Sequence, residues 1–116
     1  MMSKLTIFLF FSLFIGLNTL SQAATPKTET FKVYGNCDRC KSNIEGSLKK
    51  KDGILSKDWN QETKMLTVTY DSEKISLLQI KQKIADVGYD TDAVKAKAET
   101  YNKLAKCCQY ERPKAQ

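Results

Sequence analysis

The chain has 116 residues, with 19 lysines and arginines, 13 aspartates and glutamates, and no histidine, so its formal net charge at pH 7 is +6. The absence of histidine removes the usual general base near neutral pH and every Ser-His or Cys-His nucleophile pair, which argues against a hydrolase. The lysines are interspersed with acidic residues and lack interleaved aromatics, so we interpret them as solvated faces and expect no nucleic-acid partner.

The first two dozen residues have the pattern of a targeting segment. Lys4 precedes an apolar run from Leu5 to Leu20, and Ser21-Gln22-Ala23 supplies small residues at the spacing of a signal peptidase site. We therefore expect residues 1–23 to be a signal peptide, with cleavage after Ala24 as the alternative. The run is shorter than the ~20 apolar residues of a bilayer span, so no permanent membrane anchor is expected. The predicted location is the periplasm, with secretion as the alternative.

The first predicted elements are a strand, a helix and a hairpin. Phe31 and Val33 alternate with polar residues, which predicts a half-buried strand. Apolar positions four apart from Cys40 to Leu48 then predict one face of an amphipathic helix. Residues 54–59 and 65–70 are rich in apolar and β-branched side chains, and we expect two strands joined by a loop over residues 60–64.

The later elements complete a ferredoxin-like pattern. Ser76 and Gln79 form a predicted capping box at the start of a second helix, which Gly88 ends. A short strand over residues 89–93 would follow. The order strand, helix, strand, strand, helix, strand predicts an α+β ferredoxin-like fold, with two helices on one face of a four-stranded antiparallel sheet. Helical spacing over residues 92–106 predicts an extra C-terminal helix, so residues 24–93 would form the domain and 94–116 a helical tail.

The cysteines are the candidate chemistry, and they form two tight pairs, Cys37 with Cys40 and Cys107 with Cys108. Disulfide frameworks usually spread cysteines along the chain, whereas clustering favours a metal or redox use. Three uses of the first pair stay open: an open two-thiolate site for a soft ion, a thioredoxin-like redox dithiol, or half of a Cys₄ zinc site. The second pair could add metal ligands, form a disulfide or be free.

The spaced positions around the first pair resemble the heavy-metal-associated domain family. The carrying residues in the first half are Cys37, Cys40, Ile44, Glu45, Leu48 and Gly53. In the second half they are Val68-Thr69-Tyr70-Asp71, Ser76, Ile80, Ile84 and Gly88-Tyr89-Asp90. The stretch "YGNCDRC" departs from the family's usual G-M-T-C-x-x-C loop, because it lacks the methionine and is one residue shorter.

The resemblance, to a family that includes copper chaperones and periplasmic mercury-binding proteins, implies a metal-binding protein that is not an enzyme. Cys37 and Cys40 would bind one soft ion, Cu(I) first, with Hg(II), Zn(II) or Cd(II) as alternatives. A transporter or another metal-binding protein would receive the ion by thiolate exchange. We expect four further residues around the site: Asn36, Arg39, Lys41 and Tyr89. Because the thiols lie at a helix N-terminus, we expect their pKa to be lowered, with Arg39 and Lys41 adding positive potential.

Overall fold

A three-stranded antiparallel sheet forms the framework of the protein, seen in a computed structural model that describes residues 25–114. The strands are β1 (Pro26–Lys32), β2 (Ile54–Trp59) and β3 (Met65–Asp71), and they lie in the order β1-β3-β2. The hairpin over residues 60–64 is confirmed. The predicted signal peptide, residues 1–23, lies outside the described residues.

The two faces of the sheet differ in polarity because side chains alternate along each strand. Leu66, Val68 and Tyr70 of β3 are buried on one face. On the other face the hydroxyl groups of Thr28 and Thr69 lie 2.8 Å apart, as a polar cross-strand pair. One face of the sheet is therefore available for packing against helices.

Two helices fill that apolar face. Helix α1 (Asp38–Gly46) begins two residues earlier than predicted, with Cys37 as its N-cap, and a 3₁₀ turn (Lys50–Asp52) follows it. Helix α2 (Leu77–Asp86) begins with the predicted capping box of Ser76 and Gln79. Buried side chains of both helices belong to the same core cluster as those of the sheet.

The prediction of a fourth strand over residues 89–93 is corrected by the structure, which forms a single bridge between Val33 and Thr91. The Thr91 hydroxyl accepts hydrogen bonds from the amides of Ala93 and Val94, so the chain turns at once. A side chain that satisfies its own neighbouring amides offers the backbone an alternative to a strand ladder.

The predicted long C-terminal helix over residues 92–106 is also wrong. Helix α3 (Ala98–Asn102) has five residues, and a 3₁₀ turn (Lys106–Cys108) follows. The Gln109 side-chain amide donates to the carbonyls of Asn102 and Leu104, which satisfies acceptors that a continuing helix would have used. Within residues 25–114, no helix combines the length and apolar character needed to cross a membrane.

Candidate metal centre

Three thiols converge at one end of the core. The sulfur atoms of Cys37, Cys40 and Cys108 all lie within 4.8 Å of one another. Cys40 and Cys108 are buried, and Cys37 is partly exposed. Cys107 is exposed and lies outside this cluster of three. The structure therefore brings the first cysteine pair together with one member of the second.

The loop before α1 positions the first two thiols. Cys37 is the N-cap residue and Cys40 lies in the first turn, so both sulfur atoms are at the helix N-terminus. Gly35 precedes these two cysteines. A Cβ atom added at Gly35 would lie 3.1 Å from the Trp59 ring and 3.3 Å from the Cys40 Cβ. The buried Trp59 ring thus packs beneath the loop, against a residue that has no side chain to displace it.

Backbone amides lower the pKa of Cys37. The main contributions are hydrogen bonds from the backbone N–H groups of Cys40 and Arg39, which stabilise the thiolate. The Asn36 backbone N–H lies 3.3 Å from the Cys40 sulfur and donates to it. Donors at a helix N-terminus favour negative charge on sulfur, so this end of the loop is suited to thiolates.

Cys108 has a different environment. Burial raises its pKa to about 12, so the free thiol is protonated at neutral pH. The side-chain amide of Asn43 lies 3.9 Å from the Cys108 sulfur and also donates to the Tyr89 hydroxyl at 2.9 Å. A coordinated thiol loses its proton, because the positive ion replaces it.

Cys107 contacts the site through its backbone carbonyl, while its sulfur lies outside the cluster of three. Its carbonyl accepts from the Asn36 side-chain amide at 3.3 Å and from the Cys37 thiol at 3.6 Å. These contacts tie the C-terminal segment to the loop before α1. The Cys107 sulfur lies 3.9 Å from that of Cys108.

The two basic residues predicted beside the thiols are arranged differently from each other. The Lys41 ammonium lies 2.8 Å from Glu45 and 2.9 Å from Asp58, and these carboxylates raise its pKa. The positive charge of Lys41 is therefore largely offset by these two carboxylates. Arg39 is exposed and acts on Cys37 through its backbone N–H.

Tyr89 is fully buried, and its ring stacks on that of Tyr110 at 5.6 Å between centroids. Burial raises the pKa of Tyr89 above its usual range, so the hydroxyl is a donor. The neighbouring thiols of Cys108 and Cys40 raise it further. The predicted proximity of Tyr89 to the cysteines is thus present.

A second tyrosine anchors the segment that carries Cys108. The buried Tyr110 hydroxyl donates to the Gly88 carbonyl at 2.7 Å and accepts from the Asp90 amide at 2.9 Å. Its ring also meets that of Tyr101 edge-on, with centroids 5.0 Å apart. Two residues after Cys108, the Tyr110 side chain therefore ties the C-terminal segment to the loop after α2.

An ion pair strengthens this anchor. Arg112 donates to both carboxylate oxygens of Asp90, from Nε at 2.8 Å and from Nη2 at 2.6 Å. The Asp90 side chain has no exposed surface and also accepts from the Ala96 amide at 2.7 Å. Burial raises the pKa of Asp90, but the Arg112 and Ala96 hydrogen bonds outweigh it and hold the pKa below its ordinary value.

Comparison with known proteins identifies the family. Residues 30–90, more than half of the chain, match the heavy-metal-associated domain, and the protein belongs to this family. The resemblance to this family that the sequence indicated is confirmed. The fold is the ferredoxin-like fold of these domains, with the fourth strand reduced to one bridge. Both Cys107 and Cys108 lie beyond the matched residues.

Individual relatives agree with this assignment. A copper chaperone CopZ from Staphylococcus aureus is 42% identical over 63 residues, which cover 53% of this chain and 93% of CopZ. A zinc-transporting ATPase from Synechocystis is 38% identical over 71 residues, which are 60% of this chain but 10% of the ATPase. The crystal structure of oxidised MerP from Ralstonia metallidurans superposes with a TM-score of 0.55 and 29% identity, covering 59% of this chain and 96% of MerP.

Three contributors to the site were not predicted from the sequence. They are Asn43, Trp59 beneath the loop, and Tyr110. Asn43 follows Cys40 by three residues, so helical spacing alone places it on the same side of α1. No local signal could have placed Trp59 or Tyr110, because both reach the site through long-range packing.

Proposed function

We propose that the protein binds one soft metal ion through Cys37 and Cys40 and carries it to another protein or sequesters it. Cu(I) is the first candidate, with Hg(II), Zn(II) and Cd(II) as alternatives. The observation that carries the proposal is a pair of thiols at a loop-to-helix junction, 4.8 Å apart or less, in a heavy-metal-associated domain. Soft ions prefer thiolate ligands.

The spacing suits two-coordinate binding. Two metal–thiolate bonds of about 2.3 Å, the length found with zinc, span about 4.6 Å when they point in opposite directions. The two sulfur atoms lie within 4.8 Å of each other, so both can reach one ion with little movement of the loop. Cys37 is partly exposed, which leaves a route for an incoming thiolate.

We further propose a metal transporter or another metal-binding protein as the partner. Support comes from the relatives, one of which is named a copper chaperone and another a zinc-transporting ATPase. Transfer would proceed by exchange of thiolates, without release of a free ion. A periplasmic location is proposed from the signal-peptide pattern of residues 1–23.

A thiol-disulfide oxidoreductase using the same pair is the alternative function. The relatives named above give it no support, and we do not propose it as the main activity. An insulin-reduction assay separates the two functions, since robust turnover without metal would favour the enzyme.

The test of metal binding is a Cu(I) titration of the fully reduced protein against a chromogenic chelator. Wild type should take up one ion per chain, and the Cys37→Ser/Cys40→Ser variant should lose competition with the chelator. The variant Ser42→Ala serves as the control, because Ser42 lies on α1 beside the pair and is exposed. Undiminished binding by the double variant would refute the proposal.

A further inference from the structure

We propose that Cys108 is a third thiolate ligand, so that the ion is held by Cys37, Cys40 and Cys108 in a trigonal site. This inference rests on the proposed function, since it concerns the ion that Cys37 and Cys40 bind. It adds a ligand from outside the matched domain, which spans residues 30–90. The ligand class is a soft ion that accepts three sulfur donors, with Cu(I) as the first candidate.

The distances between the three sulfur atoms allow one ion to reach all of them. The three sulfur atoms are at most 4.8 Å apart, and 4.8 Å divided by the square root of three is about 2.8 Å. A point therefore exists that lies no more than about 2.8 Å from each sulfur atom. A metal–thiolate bond is about 2.3 Å long, so each sulfur atom needs to move inwards by about 0.5 Å or less. Rotation about the Cα–Cβ bonds supplies a movement of that size.

The surroundings of Cys108 differ from those of an ordinary core cysteine. Free cysteines often pack as small apolar residues. Here the Asn43 side-chain amide lies 3.9 Å from the Cys108 sulfur, and the buried Tyr89 hydroxyl faces it. Amide and hydroxyl donors stabilise negative charge on sulfur, which a thiolate ligand carries.

The C-terminal segment holds Cys108 in place without help from the sulfur. Tyr110 is hydrogen-bonded to Gly88 and Asp90, and Arg112 pairs with Asp90. These contacts are complete in the structure, so the third donor is preorganised for an entering ion. Cys107 is less suited, because it is exposed and its sulfur is not among the three that all lie within 4.8 Å of one another.

A third ligand changes how the ion leaves. A receiving protein must first displace one thiolate, and Cys108 is the candidate because it belongs to a separate segment. Small thiols in solution should therefore extract the ion more slowly than they would from a site with two thiolates. The protein would then hold its cargo until a specific partner supplies the replacement sulfur.

The decisive test counts the sulfur atoms around Cu(I) by X-ray absorption spectroscopy. All variants carry Cys107→Ser, so that Cys107 cannot replace its neighbour. With one Cu(I) per chain, Cys107→Ser should show three sulfur neighbours, and Cys107→Ser/Cys108→Ser should show two. Affinity for Cu(I) should fall at least about tenfold on loss of Cys108, because losing even an outer partner of a ligand costs 10–100-fold.

An equal number of sulfur neighbours in the two variants would overturn the assignment. A copper-bridged dimer in native mass spectrometry would also overturn it, since the third sulfur would then come from a second chain. Failure of the proposed function has a different signature, because Cys107→Ser would then bind no stoichiometric copper. One-to-one binding by both variants, with three sulfur neighbours in Cys107→Ser and two in Cys107→Ser/Cys108→Ser, supports both conclusions.

Discussion

Replacing Arg112 with methionine should weaken the anchor of the C-terminal segment. The substitution keeps a long apolar side chain but removes the counter-ion of the buried Asp90 carboxylate. Of the three hydrogen bonds to Asp90 oxygen atoms described above, only that from the Ala96 amide would persist. A buried carboxylate without its partner is strongly unfavourable.

The expected loss of unfolding free energy is about 3 kcal/mol. Removing one partner of a buried ion pair costs about 3–5 kcal/mol. Arg112 retains 25% side-chain exposure, so solvent already screens part of the interaction and we take the lower end. The variant Arg112→Met/Asp90→Asn should recover part of this loss, because a neutral amide needs no counter-ion.

Two measurements check this prediction. Urea unfolding followed by fluorescence of the single tryptophan, Trp59, gives the change in unfolding free energy. The rate at which a thiol reagent modifies Cys108, read by mass spectrometry of its peptide, reports local opening of the segment. Arg112→Met should raise that rate before global unfolding begins.

A lysine near the end of the described chain supplies the control. Lys114 is exposed, so Lys114→Met removes a positive charge from the same segment without disturbing a buried partner. A stability loss for Arg112→Met no larger than that for Lys114→Met would refute the role of the ion pair. Unchanged labelling of Cys108 in a clearly destabilised Arg112→Met would refute its role as the anchor.

Three further predictions concern acid stability, thiol reactivity and glycines. Because the folded pKa of Asp90 lies below its ordinary value of 3.8, its contribution to stability is present above pH 3.8. That contribution is lost as the pH falls through the folded pKa, and Asp90→Asn should lack this part of the acid dependence in urea unfolding. The rate at which iodoacetamide modifies each thiol can be followed against pH by peptide mass spectrometry. The midpoint of this pH dependence should lie below pH 9.0 for Cys37 and near pH 12 for Cys108. In urea unfolding, Gly46→Ala should stabilise the protein by about 0.5 kcal/mol, because nothing lies within 4 Å of the new Cβ. Gly53→Ala should destabilise it by at least about 1–2 kcal/mol, because Gly53 has φ +106° and the Lys74 Cβ lies 2.9 Å from the new Cβ.

Each of these has a contrary outcome. Equal acid slopes for wild type and Asp90→Asn would show that another group governs acid unfolding. Modification of Cys108 at a lower pH than Cys37 would contradict the burial of its thiol. Equal effects of the two glycine substitutions would show that backbone conformation at Gly53 is not constrained.

Much of the fold follows from local patterns in the sequence. The strands predicted over residues 54–59 and 65–70 are present as β2 and β3, and the capping box of α2 is present as predicted. These elements depend on side-chain alternation, helical spacing and contacts between residues three or four apart. The spacing of Cys37 and Cys40 before a helix also predicted two of the three thiols that the structure brings together.

The predictions that failed involve competition between a periodic pattern of apolar residues and side-chain hydrogen bonds to nearby backbone amides. Helical spacing over residues 92–106 was real but weak, and Asp90 and Thr91 turn the chain before a long helix can form. The fourth strand was lost for the same reason. Side-chain hydrogen bonds to nearby amides are strong enough to override a modest periodic pattern.

The sequence by itself determined where the first pair of thiols comes together, because two thiols three residues apart at a helix start need only local structure to converge. It left the role of the second pair open, since Cys107 and Cys108 are neighbours in the chain with identical side chains. Only the tertiary structure separated them, by docking Tyr110 and Arg112 onto the loop after α2 and so turning Cys108 inwards. The distinction depends on contacts across about 20 residues of chain, which no local pattern specifies.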